Sequence, residues 1–354
     1  CSILPSRLSI VQPMTDPNED STHQIEERLI AYLRDELGDP SIDYASPLTQ
    51  LHGGFDTSIY RFQLKGVGQK LAGQLVLRLC PEFQDSSKAI WESTVQNALA
   101  GEGYPVAAAH VVCTDKSVLG GAFFIMDFLP GEPMITATTN AIPVILAETH
   151  AALHRIDPAP LLKALTDQGI DQNRWTLTGR LRHLQAGAEE LSWISPGINW
   201  LVDNRPDEPQ RLAVCHGDFH AMNILMQDGK VSGVLDWPGF LIADPVLDVA
   251  NTLLLIMVAY KQLASSDLGV DLQAMIGREV VSVDWEVFSR QYLDAYRAQL
   301  PLESTHIDYY RVLRGMMALV EGVEGQEAWR HPAIVNELIE FIHSVTDLTI
   351  TVPS

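Results

Sequence analysis

The sequence predicts an α+β fold in which most strands precede most helices. After an initial helix, five short segments of strand character lie between residues 48 and 128, and one helical pattern separates them. From residue 143 onward, the apolar residues recur mainly at helical spacing. One strand pair around an Asp-Gly turn at residues 228 and 229 interrupts the helical part.

The composition indicates a chain with a large core. Its 354 residues, 46% of them hydrophobic and 19% charged, suffice for one large or two medium domains. The net charge of −21 argues against a protein that follows the phosphates of a nucleic acid. An acidic cleft would concentrate a cationic small substrate, although solubility alone explains the charge more simply.

The cysteines and the apolar segments indicate a cytoplasmic protein without a membrane partner. Cys1, Cys80, Cys113 and Cys215 form no C-x-x-C pair and no disulfide-like spacing. No run reaches the ~18 apolar residues of a membrane span, and the N-terminus lacks the apolar core of a signal peptide. Because the chain begins with Cys instead of Met, Met14 is a candidate for the native start.

The first element is predicted to be a helix that follows a disordered tail. Residues 1–20 contain three prolines and several small polar residues, a composition typical of disorder. Ser21 and Gln24 fit a capping box, and the apolar stripe that follows ends before Gly38 and Pro40.

Two strands, over residues 48–51 and 58–64, are predicted to flank the turn H-G-G-F-D-T. A unit of strand, glycine-rich turn and strand can place backbone N–H groups over a triphosphate. Gly53, Gly54 and Thr57 are therefore candidate phosphate-binding residues. The alternative is an ordinary connecting turn, which is what most Gly-Gly turns are.

A cation and a carboxylate follow on a third strand and the next helix. Arg78 lies in the strand predicted over Gln74–Cys80, and Glu92 lies in the helix predicted over Ser86–Ala100. Because Glu92 borders the apolar face of its helix, it requires a cationic partner, and Arg78 is the candidate. The alternatives are a solvated Glu and an exposed strand Arg.

Two histidines have the spacing of a metal site but are interpreted as structural. His150 and His154 lie four residues apart, at the edge of the apolar stripe of a helix predicted over Pro143–Ile156. The sequence offers no obvious third ligand near them.

The stretch from Leu212 to Asn251 contains the strongest chemical signal. Asp218 and Asn223 come just before the predicted hairpin, and Asp236 comes just after it. Because a hairpin brings its two ends together, we expect these three side chains to converge. One carboxylate to orient a hydroxyl, with an Asn and an Asp to hold Mg²⁺, is the set that phosphoryl transfer from a nucleotide requires.

The order H-G-D-F-H-A-M-N, strand pair and D-W resembles the aminoglycoside phosphotransferase and choline kinase superfamily. The resemblance implies a two-lobed fold similar to that of protein kinases, with Asp218 as catalytic base, Asn223 and Asp236 as Mg²⁺ ligands, and His216 as a structural anchor. It also implies that Asp248, in D-P-V-L-D, supports the backbone of the loop before the hairpin. A surface hairpin with ordinary polar residues is the alternative.

The resemblance also implies where ATP or GTP binds. Arg78, held by Glu92, would brace the α- and β-phosphates at the place where kinases have Lys. The backbone around Met126, Asp127 and Phe128, in the hinge-like segment M-D-F-L-P-G, would hydrogen-bond the purine.

The implied organisation is a nucleotide-binding lobe and a catalytic lobe. The predicted parts are the tail (1–20), a lobe with a five-stranded antiparallel sheet (21–129) and a mainly helical catalytic and substrate lobe (130–354). The region over residues 157–210 would help to shape the acceptor pocket, but the resemblance assigns no residue there.

The sequence leaves the phosphoryl acceptor open. Glu321 and Glu324 share a helical face and could bind a substrate amine, although a solvated face is the favoured interpretation. A-M-N replaces the P-G-N common in the superfamily, and Pro238 replaces a frequent acidic residue. We expect a small-molecule kinase with a cationic, aminoglycoside-like acceptor, or with choline, a sugar, homoserine, a macrolide or a hydroxyacyl compound. A nucleotide-binding protein without transfer activity is the alternative from another class.

Overall fold

The computed structural model describes most of the chain from Glu19 onward. The residues outside the description are 1–18, 52–56, 138–139, 172, 174, 189–191, 208, 210, 265–283, 327–328 and 354. Nearly all of the predicted tail, with Met14, therefore lies outside the described residues. The chain divides into two compact units, the first with residues up to Ser93 and Ala109–Phe128, the second with Thr94–Ala108 and Leu129–Ser354.

The first unit is built on a five-stranded antiparallel sheet, which confirms the predicted sheet. Its strands are β1 (Asp43–Leu51), β2 (Ser58–Lys65), β3 (Gln74–Leu79), β4 (Ala109–Cys113) and β5 (Phe123–Asp127). They lie in the order β1-β2-β3-β5-β4. Alternate residues face the core, where Leu75 and Leu77 of β3 lie with Tyr60 and Phe62 of β2.

Three α-helices begin among the described residues of this unit. They are α1 (Glu19–Glu36), α2 (Ser87–Gly101) and α3 (Lys116–Leu119). The predicted capping box at Ser21 is wrong, because helix α1 already begins at Glu19. Acidic residues such as Glu19 and Asp20 suit the first turn of a helix. Strand β1 is longer than predicted, and Pro47 lies at a register shift of this edge strand, where a missing N–H is tolerated.

The second unit is mainly helical, as predicted. Its helices are α4 (Ile142–Arg155), α5 (Pro158–Asp167), α6 (Leu177–Ala188), α7 (Ser195–Asp203), α8 (Pro245–Ala264), α9 (Trp285–Gln299), α10 (Ile307–Val323) and α11 (Pro332–Thr346). Helix α8 lies in the core, where Leu247 and Leu254 join Met316 and Leu319 of α10 and Leu338 of α11. In the described part of the chain, no helix combines the length and the apolarity of a membrane span.

The predicted hairpin is present in the second unit. Strands β8 (Ile224–Gln227) and β9 (Lys230–Val234) are antiparallel. The φ angles of the turn residues Asp228 and Gly229 are +51° and +75°, the left-handed pair of a type I′ turn. Three short strands complete the unit: β6 (Glu132–Pro133) pairs with β8, and β7 (Ala213–Cys215) pairs with β10 (Leu241–Ala243). Residues 216–223 form the β7–β8 loop.

Candidate active site

His216 joins the β7–β8 loop to the end of the hairpin. Its ring is fully buried, its Nε2 lies 2.9 Å from the carbonyl oxygen of Leu235, and its Nδ1 accepts the backbone N–H of Asp218 at 3.2 Å. These partners require a neutral ring with the proton on Nε2. Burial lowers the pKa of His216, which favours the same neutral form. His216 thus fixes Asp218 relative to the residue before Asp236.

Asp248 supports the backbone of the same loop. Its fully buried carboxylate accepts the N–H of His216 at 2.5 Å and the N–H of Gly217 at 2.8 Å. It also lies 2.9 Å from Nε2 of His150 and 3.2 Å from Nε2 of His154. Burial acts to raise the pKa of Asp248, but the two histidines outweigh it and hold that pKa well below its usual value. The carboxylate therefore stays charged and keeps both N–H groups in place.

The two histidines of α4 form a saturated hydrogen-bond cluster with Asp248. No third ligand was evident beside them in the sequence, but potential ligand atoms of His150, His154 and Asp248 lie within 4.8 Å of one another. The remaining ring nitrogens bond to the hydroxyls of Tyr292 and Tyr296 of α9, each at 2.7 Å. Because every ring nitrogen already has a partner, these contacts fit the structural role predicted for the pair.

Helix α8 holds the loop through two further side chains that the sequence reasoning missed. The hydroxyl of Thr252 donates to the carbonyl of Phe219 at 2.9 Å, and the amide of Asn251 reaches the carbonyl of Gly217 at 3.5 Å. Asn251 lies three residues after Asp248 and Thr252 lies four residues after it, so the three side chains share one face of a mainly apolar helix. That spacing of polar residues was a signal that could have identified them.

Asp218, Asn223 and an unpredicted residue, His220, meet at one point. The Asn223 amide donates to the Asp218 carbonyl at 3.0 Å and to its carboxylate at 3.3 Å. Nε2 of His220 lies 3.4 Å from the same carboxylate, and its Nδ1 accepts the N–H of Met222 at 3.3 Å. Because Nδ1 is the acceptor of that bond, Nε2 is the nitrogen that presents its N–H toward Asp218. Its position two residues after Asp218, together with its titratable ring, could have identified His220 from the sequence.

The environment keeps Asp218 ionised. Burial acts to raise the pKa of Asp218, but the hydrogen bond and the charge of His220 act in the opposite direction. Smaller contributions of the same sign come from His216 and Arg314, and the pKa falls to about 2. Asp218 is therefore a carboxylate at neutral pH, which can accept a hydrogen bond from a hydroxyl group.

Asp236 is brought to the same end of the hairpin, and its oxygens suit a magnesium ion together with Asn223. The N–H of Leu235, one residue earlier, donates to the carbonyl of Asn223 at 2.8 Å. Asp236 is exposed and has a φ of +66°, a backbone conformation that costs energy for a residue with a side chain. Because Nδ2 of Asn223 points to Asp218, its Oδ1 is the atom that can bind a cation. Amide and carboxylate oxygens are the protein ligands Mg²⁺ prefers.

In the first unit, Arg78 and Glu92 form the ion pair that the sequence indicated. Arg78 Nε lies 3.0 Å from Glu92 Oε2, and the Glu92 side chain is 1% exposed. Lys88 approaches the other oxygen of Glu92 at 3.9 Å. Gly53 and Gly54 lie outside the described residues, whereas Thr57 is half-buried just before β2.

The segment that is predicted to bind the purine lies at the end of β5. Met126 is buried, and Asp127 accepts a contact of 2.7 Å from Nε2 of His110. The N–H of Phe128 already donates to the carbonyl of Gln74 at 3.0 Å. The sheet pairing therefore continues one residue past β5. The purine-binding role of the backbone around Met126, Asp127 and Phe128 stays a prediction.

The two glutamates at the end of α10 lie in different surroundings. Glu321 accepts a hydrogen bond from Nη1 of Arg314 at 3.1 Å. Glu324 is exposed at the end of the helix. Glu321 is thus paired within the protein and Glu324 faces solvent, and a role of the two residues toward a substrate amine stays a prediction.

Comparison with known proteins connects this geometry to phosphoryl transfer. The phosphotransferase enzyme family matches residues 47–297. Acyl-CoA dehydrogenase family member 11 of Mus musculus is 30% identical over 45% of the chain, but the chain spans only 22% of that relative. Aminoglycoside 3'-phosphotransferase of Streptomyces fradiae is 22% identical over 73% of this chain and 91% of its own length.

A solved structure shows the same fold. Aminoglycoside phosphotransferase APH(4)-Ia, in a ternary complex with AMP-PNP and hygromycin B, superposes with a TM-score of 0.55 at 15% identity. The match covers 90% of this chain and 99% of that one.

Proposed function

Because the chain belongs to the phosphotransferase enzyme family, we propose that it transfers the γ-phosphoryl group of ATP or GTP to a hydroxyl group of a small molecule. The observation behind this proposal is the contact of Asp218 with Asn223 and His220, at the end of a hairpin that also delivers Asp236. A polar cluster of this composition supplies a hydrogen-bond acceptor for a hydroxyl and two oxygen ligands for a divalent cation.

Asp218 orients the hydroxyl of the acceptor. Its pKa of about 2 makes it a weak base, so it accepts a hydrogen bond from the hydroxyl and takes the proton only as the new P–O bond forms. His220 and Asn223 limit the positions of its carboxylate, because both contact it. This arrangement suits the loose transition state of phosphoryl transfer, which gains most from positioning.

Asn223 and Asp236 would hold Mg²⁺ through Oδ1 and the carboxylate. Bound there, the ion would neutralise charge on the phosphates of the nucleotide. Arg78 would brace the α- and β-phosphates, with Glu92 fixing its guanidinium group at 3.0 Å. Arg is permanently charged and forked, which suits contact with two phosphate oxygens.

The proposal also includes the predicted lobes of the chain and its predicted location. The nucleotide-binding lobe corresponds to residues 21–129 and the catalytic and substrate lobe to residues 130–354. A reducing, cytoplasmic location agrees with Cys80, Cys113 and Cys215, which are free and buried.

Mg²⁺-dependent release of ADP or GDP by the purified full chain tests the proposal. Hydroxyl acceptors of several chemical classes are added in turn, and wild type is compared with Asp218→Asn. We expect acceptor-stimulated turnover that falls about 100-fold or more in the variant, while nucleotide binding persists. Asp228→Asn, in the turn of the same hairpin, is the matched control and should retain wild-type turnover because Asn accepts a positive φ.

Two results would overturn the proposal. One is a folded protein that binds no nucleotide in the presence of Mg²⁺. The other is acceptor-stimulated turnover that Asp218→Asn leaves unchanged. Nucleotide binding without turnover on any acceptor would favour the kinase-like binding protein over the enzyme.

A further inference from the structure

The proposed metal ligand Asp236 lies in a strained backbone conformation between two residues that are held in place. Its φ of +66° costs energy for a residue with a side chain, so the surrounding structure has to maintain it. On one side, Leu235 donates its N–H to the carbonyl of Asn223 at 2.8 Å, and its own carbonyl accepts Nε2–H of His216 at 2.9 Å. The residue on the other side, Trp237, has no role in the proposed chemistry.

Trp237 is a buried side chain whose contacts converge on the end of the hairpin. Its indole Nε1 donates a hydrogen bond of 3.1 Å to the carbonyl of Val234, the last residue of β9. The ring centroid lies 4.5 Å from that of His216 and 6.1 Å from that of Tyr104, the latter in an edge-to-face arrangement. Because His216 also binds the carbonyl of Leu235, the two neighbours of the proposed ligand share one anchor.

A segment distant in sequence holds the same end of β9. The carbonyl of Pro105 accepts the N–H of Val234 at 2.7 Å. The buried Tyr104 donates its hydroxyl to the carbonyl of Thr149 in α4 at 3.1 Å, which fixes the ring that Trp237 contacts. Val234 is thus bound through both its N–H and its carbonyl, and its carbonyl is bound by the indole.

The chain directly after Trp237 is also restrained. The N–H of Phe240 donates to the carbonyl of Trp237 at 3.1 Å, which closes a four-residue turn with Pro238 at its second position. The ring of a proline fixes its φ, and the carbonyl of Gly239 accepts Nη2–H of Arg180 at 2.8 Å. Movement of the backbone on this side of the proposed ligand is therefore limited.

We infer that Trp237 is a positioning residue for Asp236, and that the position it maintains favours Mg²⁺ over the larger Ca²⁺. The inference rests on the proposed function, because Asp236 and Asn223 are metal ligands only in that proposal. A backbone held on both sides fixes the direction in which the Asp236 side chain leaves the chain. Mg²⁺ demands near-ideal octahedral geometry at about 2.0–2.1 Å, whereas Ca²⁺ accepts longer and more variable contacts. Discrimination between the two ions therefore depends on the residues that hold the ligand.

Direct metal binding tests the inference without turnover. The full chain is saturated with a non-hydrolysable ATP or GTP analogue, and bound Mn²⁺ is measured by electron paramagnetic resonance in competition with Mg²⁺ and with Ca²⁺. Wild type should bind Mg²⁺ more tightly than Ca²⁺. Trp237→Phe keeps a buried ring but loses the bond to the Val234 carbonyl. We expect it to bind Mg²⁺ about 10-fold more weakly, at the lower end of the range for residues that support metal ligands, and to change less toward Ca²⁺.

Trp175→Phe is the matched control. Trp175 is a buried residue of the same unit, and its Nε1 has no hydrogen-bond partner within the described part of the chain. Both variants remove the same atoms from a buried site, so both should lose unfolding free energy in urea, but the control should keep the wild-type affinities for Mg²⁺ and Ca²⁺. If Trp237→Phe does not fold, Pro238→Ala takes its place, because it frees φ next to Trp237 and should also lower the preference for Mg²⁺.

The outcomes distinguish the inference from the proposed function. An unchanged ratio of Mg²⁺ to Ca²⁺ affinity in Trp237→Phe, or in Pro238→Ala where that variant is needed, would show a packing role alone and overturn the inference. An equal change in Trp175→Phe would also overturn it. A wild-type protein that binds Ca²⁺ as tightly as Mg²⁺ would overturn the inference but leave the kinase intact. Wild-type Mn²⁺ affinity in Asp236→Asn would remove Asp236 from the metal site, and with it both the proposed ligand set and the inference.

Discussion

Substitution of Gly217 by Ala should disable the β7–β8 loop without removing any chemical group. Gly217 has a φ of +82°, a region that L-residues enter at a cost of about 1–2 kcal/mol. A Cβ atom there would lie 2.0 Å from the carbonyl oxygen of Gly239, whereas ordinary contact begins near 3.4 Å. The two backbones must therefore separate by about 1.4 Å, the difference between those distances.

This separation acts directly on the reacting groups. Gly217 precedes Asp218, and its N–H is held by Asp248 at 2.8 Å, so the loop cannot move without straining that bond. The carbonyl of Gly239 is held by Arg180 on the other side. A misplacement of about 1 Å can cost 10²-fold in rate, so we expect kcat to fall about 100-fold in Gly217→Ala.

Gly229→Ala is the control that distinguishes the steric clash at Gly217 from the cost of a positive φ angle. Gly229 has a similar φ of +75°, but no atom lies within 4 Å of the position of its Cβ. This variant should lose about 1–2 kcal/mol of unfolding free energy and keep its kcat. The assays are steady-state turnover with a saturating acceptor and equilibrium unfolding in urea. If both variants show the same kcat, the close approach of Gly217 and Gly239 does not position Asp218, and the reasoning is refuted.

Three further predictions concern the supporting residues. Glu92→Gln removes the buried carboxylate that pairs with Arg78, so unfolding in urea should show a loss of about 3–5 kcal/mol in unfolding free energy. Steady-state kinetics should show a higher KM for nucleotide. An unchanged unfolding free energy would contradict a buried ion pair. Asp248→Asn puts an amide donor opposite a backbone N–H, so we expect a loss of about 1–3 kcal/mol in unfolding free energy and a lower kcat. A wild-type kcat in this variant would show that Asp248 does not hold the β7–β8 loop in its active position. Burial lowers the pKa of His150 to about 4, so the free energy of unfolding should be highest above pH 6.5 and should fall by about 3 kcal/mol as the pH drops toward 4. His150→Asn should lack this pH dependence when both proteins are unfolded in urea at pH 7 and at pH 4.5.

The parts of the site that the sequence predicted are those fixed by local geometry. Asp228 and Gly229 determine a two-residue turn, and that turn determines which residues emerge together at the open end of the hairpin. The convergence of Asn223 and the segment before Asp236 follows from that register. The sheet of the first unit was predictable for the same reason, because alternation and turn signals act over a few residues.

The parts that the sequence missed depend on contacts between distant segments. His150 meets Asp248 across 98 residues, and Arg180 meets Gly239 across 59. Neither spacing has a local periodicity, so no pattern in the sequence could indicate them. The bond from the N–H of Phe128 to the carbonyl of Gln74 was not predictable for a related reason, because it follows from the pairing of β3 with β5.

The net charge illustrates why substrate class must come from the site. A charge of −21 over 354 residues suggests a cationic partner, but exposed charges more than about 8–10 Å away are largely screened at physiological ionic strength. Charged groups beside the reacting carboxylate are screened far less, and His220, His216 and Arg314 all act on Asp218. Glu321 is paired with Arg314, so the exposed acidic surface does not continue unchanged into the site. The charges next to Asp218, and not the charge of the whole surface, therefore bear on which hydroxyl compounds can bind there.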